Sequence, residues 1–143
     1  MKALLAAIVG CLCVAAQALE AGWHERGIDV GGQTRWVRIY SPASARASAP
    51  AVLLLHGGTQ SMRKVFRDAA GGTRAWLDVA DREGVVLIVP NGTNRSGGDA
   101  AGDSQAWNDY RVFGTDTRVD DVAFLRQLVA QAMRDLDLDP KRL

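Results

Sequence analysis

Two uninterrupted apolar runs, Ala51-Val52-Leu53-Leu54-Leu55 and Val85-Val86-Leu87-Ile88-Val89, constrain the fold of this 143-residue chain more than any other feature. A strand with one wet face alternates apolar and polar residues, whereas a strand apolar at every position has to be covered on both faces, as in a parallel sheet. Between the runs lie His56-Gly57-Gly58-Thr59-Gln60-Ser61 and then Thr73–Glu83, which reads as a helix through Trp76, Leu77, Val79 and Ala80, with Gly84 at its C-cap. Strand, glycine turn, helix and strand make a βαβ unit, whose crossover is right-handed in nearly all known cases. The first strand is expected deep in the sheet. Two glycines at its carboxyl end give a tight turn whose backbone a ligand can approach closely.

Upstream, strand-like runs around Trp23–Val30 and Thr34–Tyr40 are separated by Gly31-Gly32, the signature of a β-hairpin. Trp36 and Arg38 alternate with Val37 and Ile39, which predicts one apolar and one wet face at the edge of the sheet. Ser41–Pro50, rich in Pro, Ser and Ala, is a connector. Downstream, Pro90–Arg118 turns to Gly, Asn, Asp, Ser and Thr around an aromatic island at Trp107–Tyr110, and a loop of that length is usually functional or disordered. Val119–Leu136 is the clearest helix, with Val122, Leu125, Val129, Ala132, Met133 and Leu136 at helical spacing. Asp116, Asp120 and Asp121 at its first turn suit the positive end of the helix dipole, a reading that competes with a metal or acid–base pair. At Asp139-Pro140-Lys141-Arg142-Leu143 the chain should enter a third buried strand.

The first eighteen residues, Lys2 followed by the apolar run Ala3–Ala16 and then Ala16-Gln17-Ala18, have the layout of a secretory signal cleaved after Ala18. Lipoprotein processing at Cys11, after Ile8-Val9-Gly10, is the rival. The run is too short for a stable membrane helix, which takes about 20 residues. A secreted product is expected, extracellular or periplasmic, with no membrane contact after the signal is removed. Cys11 and Cys13 leave with it, so Leu19–Leu143 has neither disulfide nor thiolate chemistry. Seventeen basic against sixteen acidic side chains, with the arginines dispersed, argue against a nucleic-acid partner. No metal or cofactor is expected.

The chain resembles the secreted α/β-hydrolase esterases of the polyhydroxybutyrate depolymerase and feruloyl esterase type. The resemblance rests on Leu53-Leu54-Leu55-His56-Gly57-Gly58-Thr59-Gln60, Ala80-Asp81-Arg82-Glu83-Gly84 before Val85–Pro90, Trp107-Asn108, Val119–Leu125 and Asp139-Pro140. It implies a serine esterase with a Ser, His and Asp triad and an oxyanion hole. In this resemblance the N–H of Gly58 is the oxyanion donor and Thr59 shapes the turn, against a purely structural glycine turn. Trp107 and Asn108, in the long loop at the carboxyl side of the sheet, are placed either to hold an ester, polymeric or not, or to pack on the sheet top. Polyester, feruloyl ester and acetylated polysaccharide all remain open as substrates.

The Gly-x-Ser-x-Gly elbow that carries the nucleophile in such enzymes is not in this sequence. The chain therefore reads as the amino-terminal half of an α/β-hydrolase fold, a hairpin leading into a βαβ sheet, ending before the elbow strand. Gly102-Asp103-Ser104 resembles the start of another hydrolase class but sits in a polar loop. Of the two histidines, His24 belongs to the hairpin and His56 is better read as bonding within its own loop than as a general base. Asn91-Gly92-Thr93 and Asn94-Arg95-Ser96 match glycosylation acceptors and are read as turn chemistry. The first apolar strand, left with a bare outer edge, is expected to make the isolated chain poorly folded or self-associating and without turnover. A different class of reading makes the chain a small secreted module that binds an ester or polymer without catalysis.

Overall fold

The computed structural model describes residues 19–67, 72–108 and 119–143. The expected signal segment lies outside the described residues, as does Asp116. Four strands, β1 (Gly22–Val30), β2 (Gln33–Ser41), β3 (Ala51–Leu53) and β4 (Val86–Pro90), form one sheet in the order β1-β2-β4-β3. Three helices accompany it: α1 (Lys64–Arg67), α2 (Ala75–Glu83) and α3 (Asp121–Asp135). The β1–β2 and β2–β4 pairs are antiparallel and β3–β4 is parallel, so the hairpin leads into a βαβ unit. Gly31 and Gly32 turn the hairpin with φ of 61° and 82°, a pair of left-handed residues that glycine adopts without steric cost.

Every residue of β4 is buried, as its unbroken apolar run requires. Val86 and Ile88 join Val37, Ile39, Phe124, Leu128 and Ala132 beneath α3. Leu87 and Val89 face the other way, against Met62, Phe66 and Ala80. The sheet is thus covered on both sides. α3 is capped by Asp120, whose side chain accepts from the Ala123 N–H at 2.8 Å, an interaction worth about 1 kcal/mol. Gly84 closes α2 in the left-handed region with φ of 67°.

Three expectations are corrected. The face of β2 bearing Trp36, Arg38 and Tyr40 is not wet. Trp23 packs on Tyr40 and Phe66 at ring-centroid distances of 5.0 and 5.1 Å, and the Arg38 guanidinium lies 4.1 Å over Trp23. A hairpin that also carries α1 on this side needs an amphipathic covering rather than solvent, and Arg38 supplies it with its stem and planar head. The opposite face, expected to be apolar, contains Arg35, only 1% exposed.

The first apolar strand is also shorter than its run. β3 ends at Leu53, and Leu55 is 48% exposed, although the Leu54 N–H still donates to Ile88 O at 2.9 Å. Among the described residues β3 lies at the edge of the sheet and not deep within it, in line with the bare outer edge expected of this strand. The pattern of bonds explains both points. Pro50 O accepts from the Val86 N–H and Leu54 donates to Ile88, so even-numbered residues bond to β4 and odd-numbered ones face outward. On that outer side Ala49 O accepts from Asp139 N and the Ala51 N–H donates to Arg142 O, a short parallel contact centred on Ala49 and Leu138. Beyond Ala51 the outer side has no strand partner among the described residues.

The last correction concerns Asp121, which lies in the first turn of α3 as expected but leaves the capping to Asp120. Asp121 is buried and pairs with Arg35 at 2.6 Å, while its second oxygen accepts the Asn108 N–H at 2.6 Å. Arg35 also donates to Asn91 O at 3.3 Å and stacks on Phe124 at 4.3 Å. One buried ion pair therefore ties β2, α3 and the loop ends at Asn91 and Asn108 together.

Candidate functional site

The carboxyl ends of β3 and β4 converge on the segment His56–Gln60, where open α/β sheets place ligands. His56 is 3% exposed and its two ring nitrogens have distinct duties. The Gly92 N–H points at Nε2 at 3.0 Å, and an amide can only donate, so Nε2 is the acceptor. Nδ1 then carries the proton and donates to Gly57 O at 2.8 Å. Burial, opposed by the Gly57 bond and the Asp121 charge, holds the imidazole below its ordinary pKa, in keeping with a neutral ring. Its one lone pair is occupied, so His56 is a pin and not a base. His24, on β1, bonds to Glu20 O at 2.7 Å.

The pin has a geometric consequence. Gly57 O receives His56 Nδ1 and also the Gln60 N–H at 3.3 Å. The Gly57–Gly58 peptide is trans and planar, so a carbonyl fixed toward His56 aims the Gly58 N–H the opposite way. That N–H has no acceptor among the described residues. Gly57, Gly58 and Thr59 are exposed.

Packing and backbone angles do not demand glycine at either position: neither residue has a positive φ, and a Cβ built on either would meet nothing within 4 Å. Without side chains the two glycines leave the main chain open on this side. Thr59 differs. It is β-branched yet held at φ of 63°, in the left-handed region, by its N–H to Gln105 O at 2.8 Å. Such a conformation costs on the order of 1–3 kcal/mol and persists where the surroundings over-determine it.

The surroundings are a small ladder of main-chain bonds with no local signature in the sequence. Gln105 exchanges backbone bonds with Thr59 and Gln60, and Ala106 with Thr93. Asn91, fully buried at the end of β4, uses its whole amide: Oδ1 accepts the Met62 N–H at 3.0 Å, and Nδ2 donates to Ala100 O at 3.0 Å and Gly102 O at 3.1 Å. The described part of the long polar loop is therefore a scaffold for the glycine bend. An amide placed directly after an all-apolar strand was the available signal. Burial of Asn91 and Thr93 leaves that first acceptor motif closed to glycosylation, although it forms part of the ladder and not the turn expected of it.

Trp107 lies over His56, with ring centroids 4.9 Å apart, and its indole N–H donates to His56 O at 2.9 Å. Asn108 bonds through its backbone to Asp121 and through Nδ2 to Val119 O at 3.1 Å. The structure thus brings Trp107 to the glycine bend, while Asn108 anchors the loop to α3. Both side chains are half-buried. Ser104 is exposed, and its neighbour Asp103 is bound to Ser61 at 2.9 Å and Arg67 at 2.8 Å, bonds that hold its carboxyl below the usual range. Among the described residues no group of three His, Cys, Asp or Glu side chains is placed to hold a metal, and no helix is long and apolar enough to cross a membrane.

No family model and no curated protein matches the chain. Solved structures do. The structure of sOPH shares 21% identity with a TM-score of 0.58, over 92% of this chain and 44% of that one. The structure of pOPH gives 18% and 0.59 over 92% and 44%. EstE1, a thermophilic carboxylesterase cloned from a metagenomic library, gives 22% and 0.52 over 88% and 36%. The chain spans less than half the length of these structures, and what it shares with them is the fold, a mixed sheet with its helices.

Proposed function

We propose that this chain forms the amino-terminal part of a secreted serine esterase acting on carboxylic esters, and that the Gly58 N–H is one donor of its oxyanion hole. The reading is carried by one observation: an exposed amide with no acceptor among the described residues, aimed outward by a histidine whose tautomer is fixed from behind. A preorganised donor of this kind costs nothing to reorganise as charge develops on the ester oxygen, and each is worth about 3 kcal/mol at the transition state. Thr59 holds the bend, and Trp107 flanks it with an apolar ring. The resemblance of the sequence to polyhydroxybutyrate depolymerases and feruloyl esterases favours hydroxyalkanoate, feruloyl or acetyl polysaccharide esters. The nucleophile, acid and base would be supplied by polypeptide beyond these residues, on strands added to the open side of β3. In the isolated chain the same open side is a place for self-association.

Titration of the isotopically labelled chain with methyl 3-hydroxybutyrate, methyl ferulate and acetylated xylo-oligosaccharide, followed by amide chemical shifts, tests the reading. Saturable movement of the Gly58 resonance with one of them is expected, together with no hydrolysis of a p-nitrophenyl ester by the pure chain. Movement confined to other parts of the molecule, or turnover by the chain itself, would refute it.

A further inference from the structure

The scaffold behind the glycine bend contains a chemical liability that the fold itself makes unavoidable. Asn91-Gly92 is the one Asn-Gly pair in the sequence, the dipeptide in which an unhindered main-chain nitrogen most readily attacks the preceding side-chain amide. Neither residue is exchangeable. A Cβ at position 92 would lie 2.2 Å from Ala106 O, a backbone atom of the ladder that holds Thr59. At position 91 both ends of a carboxamide are needed, because Oδ1 accepts from Met62 and Nδ2 donates to Ala100 and Gly102.

We infer that Asn91-Gly92 is a succinimide-forming modification site that the native fold holds shut and that unfolding opens. In the reaction a base removes the Gly92 N–H proton and the nitrogen attacks Asn91 Cγ. The new C–N bond forms, the Cγ–Nδ2 bond breaks, and ammonia leaves. Water then opens the ring at either carbonyl, giving aspartate or isoaspartate. In the native structure three hydrogen bonds clamp the carboxamide away from rotation, the Gly92 N–H is held by His56 Nε2, and Asn91 is 0% exposed. Cyclisation must break these bonds at once, so it proceeds through opening of the scaffold.

The product cannot return to the same place. Aspartate presents a carboxylate to two carbonyl oxygens where the amide donated, and isoaspartate also lengthens the main chain by a methylene. Unfolding thereby becomes irreversible by chemical modification rather than by aggregation alone. Unlike the proposed esterase role, this inference requires nothing of Gly58 or of a substrate.

The test incubates the full chain at neutral to mildly alkaline pH in native buffer and in denaturant, beside a synthetic peptide covering residues 86–97, and follows conversion at Asn91 by peptide mass and isoaspartate detection. Conversion in native buffer at least roughly a hundredfold slower than in denaturant or in the peptide supports the inference, on the scale of opening equilibria of well-protected amides. Equal rates overturn it. A native rate above that of the peptide also overturns it, and would make His56 a base for cyclisation instead of a lock. As a second readout, the Asn91→Asp chain should recover native tryptophan fluorescence after dilution from denaturant to a much smaller extent than the unmodified chain. Equal recovery would remove the claim of irreversibility.

Discussion

Replacing Asp121 by Asn leaves the Arg35 guanidinium charged in the core with its counter-charge gone. Arg35 is 1% exposed and Asp121 6%, and the 2.6 Å contact between them is the one ion pair of the described residues in which both partners are buried. Breaking such a pair from one side costs about 3–5 kcal/mol, because the remaining charge has neither water nor partner. At roughly 4 °C per kcal/mol for a domain of this size, the midpoint of thermal unfolding should fall by about 12–20 °C. The double variant Arg35→Met/Asp121→Leu removes both charges and should recover most of that loss. Recovery will be incomplete, because Asp121 also accepts the Asn108 N–H and Arg35 also donates to Asn91 O. An unsatisfied buried amide costs about 1–3 kcal/mol, which sets the residual. Urea unfolding followed by tryptophan fluorescence on the wild type, both single variants and the double variant gives the complete cycle. A single-variant loss under about 1 kcal/mol, or a double variant less stable than the worse single one, would refute the assignment of this pair as the tie between β2 and α3.

Gly58→Ala should change stability by less than about 1 kcal/mol, since its Cβ meets nothing and its φ suits an L-residue, whereas Gly92→Ala should abolish cooperative folding against Ala106 O; urea melts of the two variants compare them directly. Stability should decline as pH falls below about 6.5, because the unfolded state then protonates His56 while the folded state, with its depressed pKa, does not; the decline should level off once pH passes the folded-state value. A flat urea midpoint between pH 7 and pH 5 would contradict it. Glu25, held low chiefly by its hydrogen bond to Arg63, adds a loss only at more acid pH, where the unfolded form takes up a proton that the folded form does not, and that loss ends once the folded form is protonated too. Leu55→Lys, at a side chain 48% exposed beside the open side of β3, should reduce self-association in sedimentation velocity while leaving the melt within about 0.5 kcal/mol.

Much of the frame was legible because its signals are local or periodic. Gly31-Gly32 between two strand-like runs, five apolar residues at Val85–Val89, Gly84 after an amphipathic segment and the helical spacing from Val122 to Met133 each have one physical reading. The extent of β3 was not legible, since an apolar run shows what a strand could bury and not whether a neighbour is there to bury it. The wet face assigned to Trp36 and Arg38 failed for a related reason: which side of a hairpin is covered depends on α1 and Phe66, far away in sequence. Arg35 and Asp121 are separated by 86 residues, and no pattern in either segment announces a buried charge pair. A strand followed by two glycines announced the tight turn at Gly57-Gly58, while the roles given to Gly58 and Thr59 came from the family resemblance. Asn91 offered only the weak signal of an amide directly after an apolar strand and Gln105 offered none, because their work is done by tertiary hydrogen bonds inside what reads as a polar loop.

Hydrogen exchange of individual amides tests the central claim most directly. The account predicts that Gly58 exchanges at nearly the rate of an unstructured glycine, while Thr59, bonded to Gln105 O, and Gly92, bonded to His56 Nε2, are slowed by roughly a hundredfold or more in the same sample. Protection of Gly58 equal to that of its two neighbours would mean that its N–H is already satisfied within the protein, and no oxyanion could be received there.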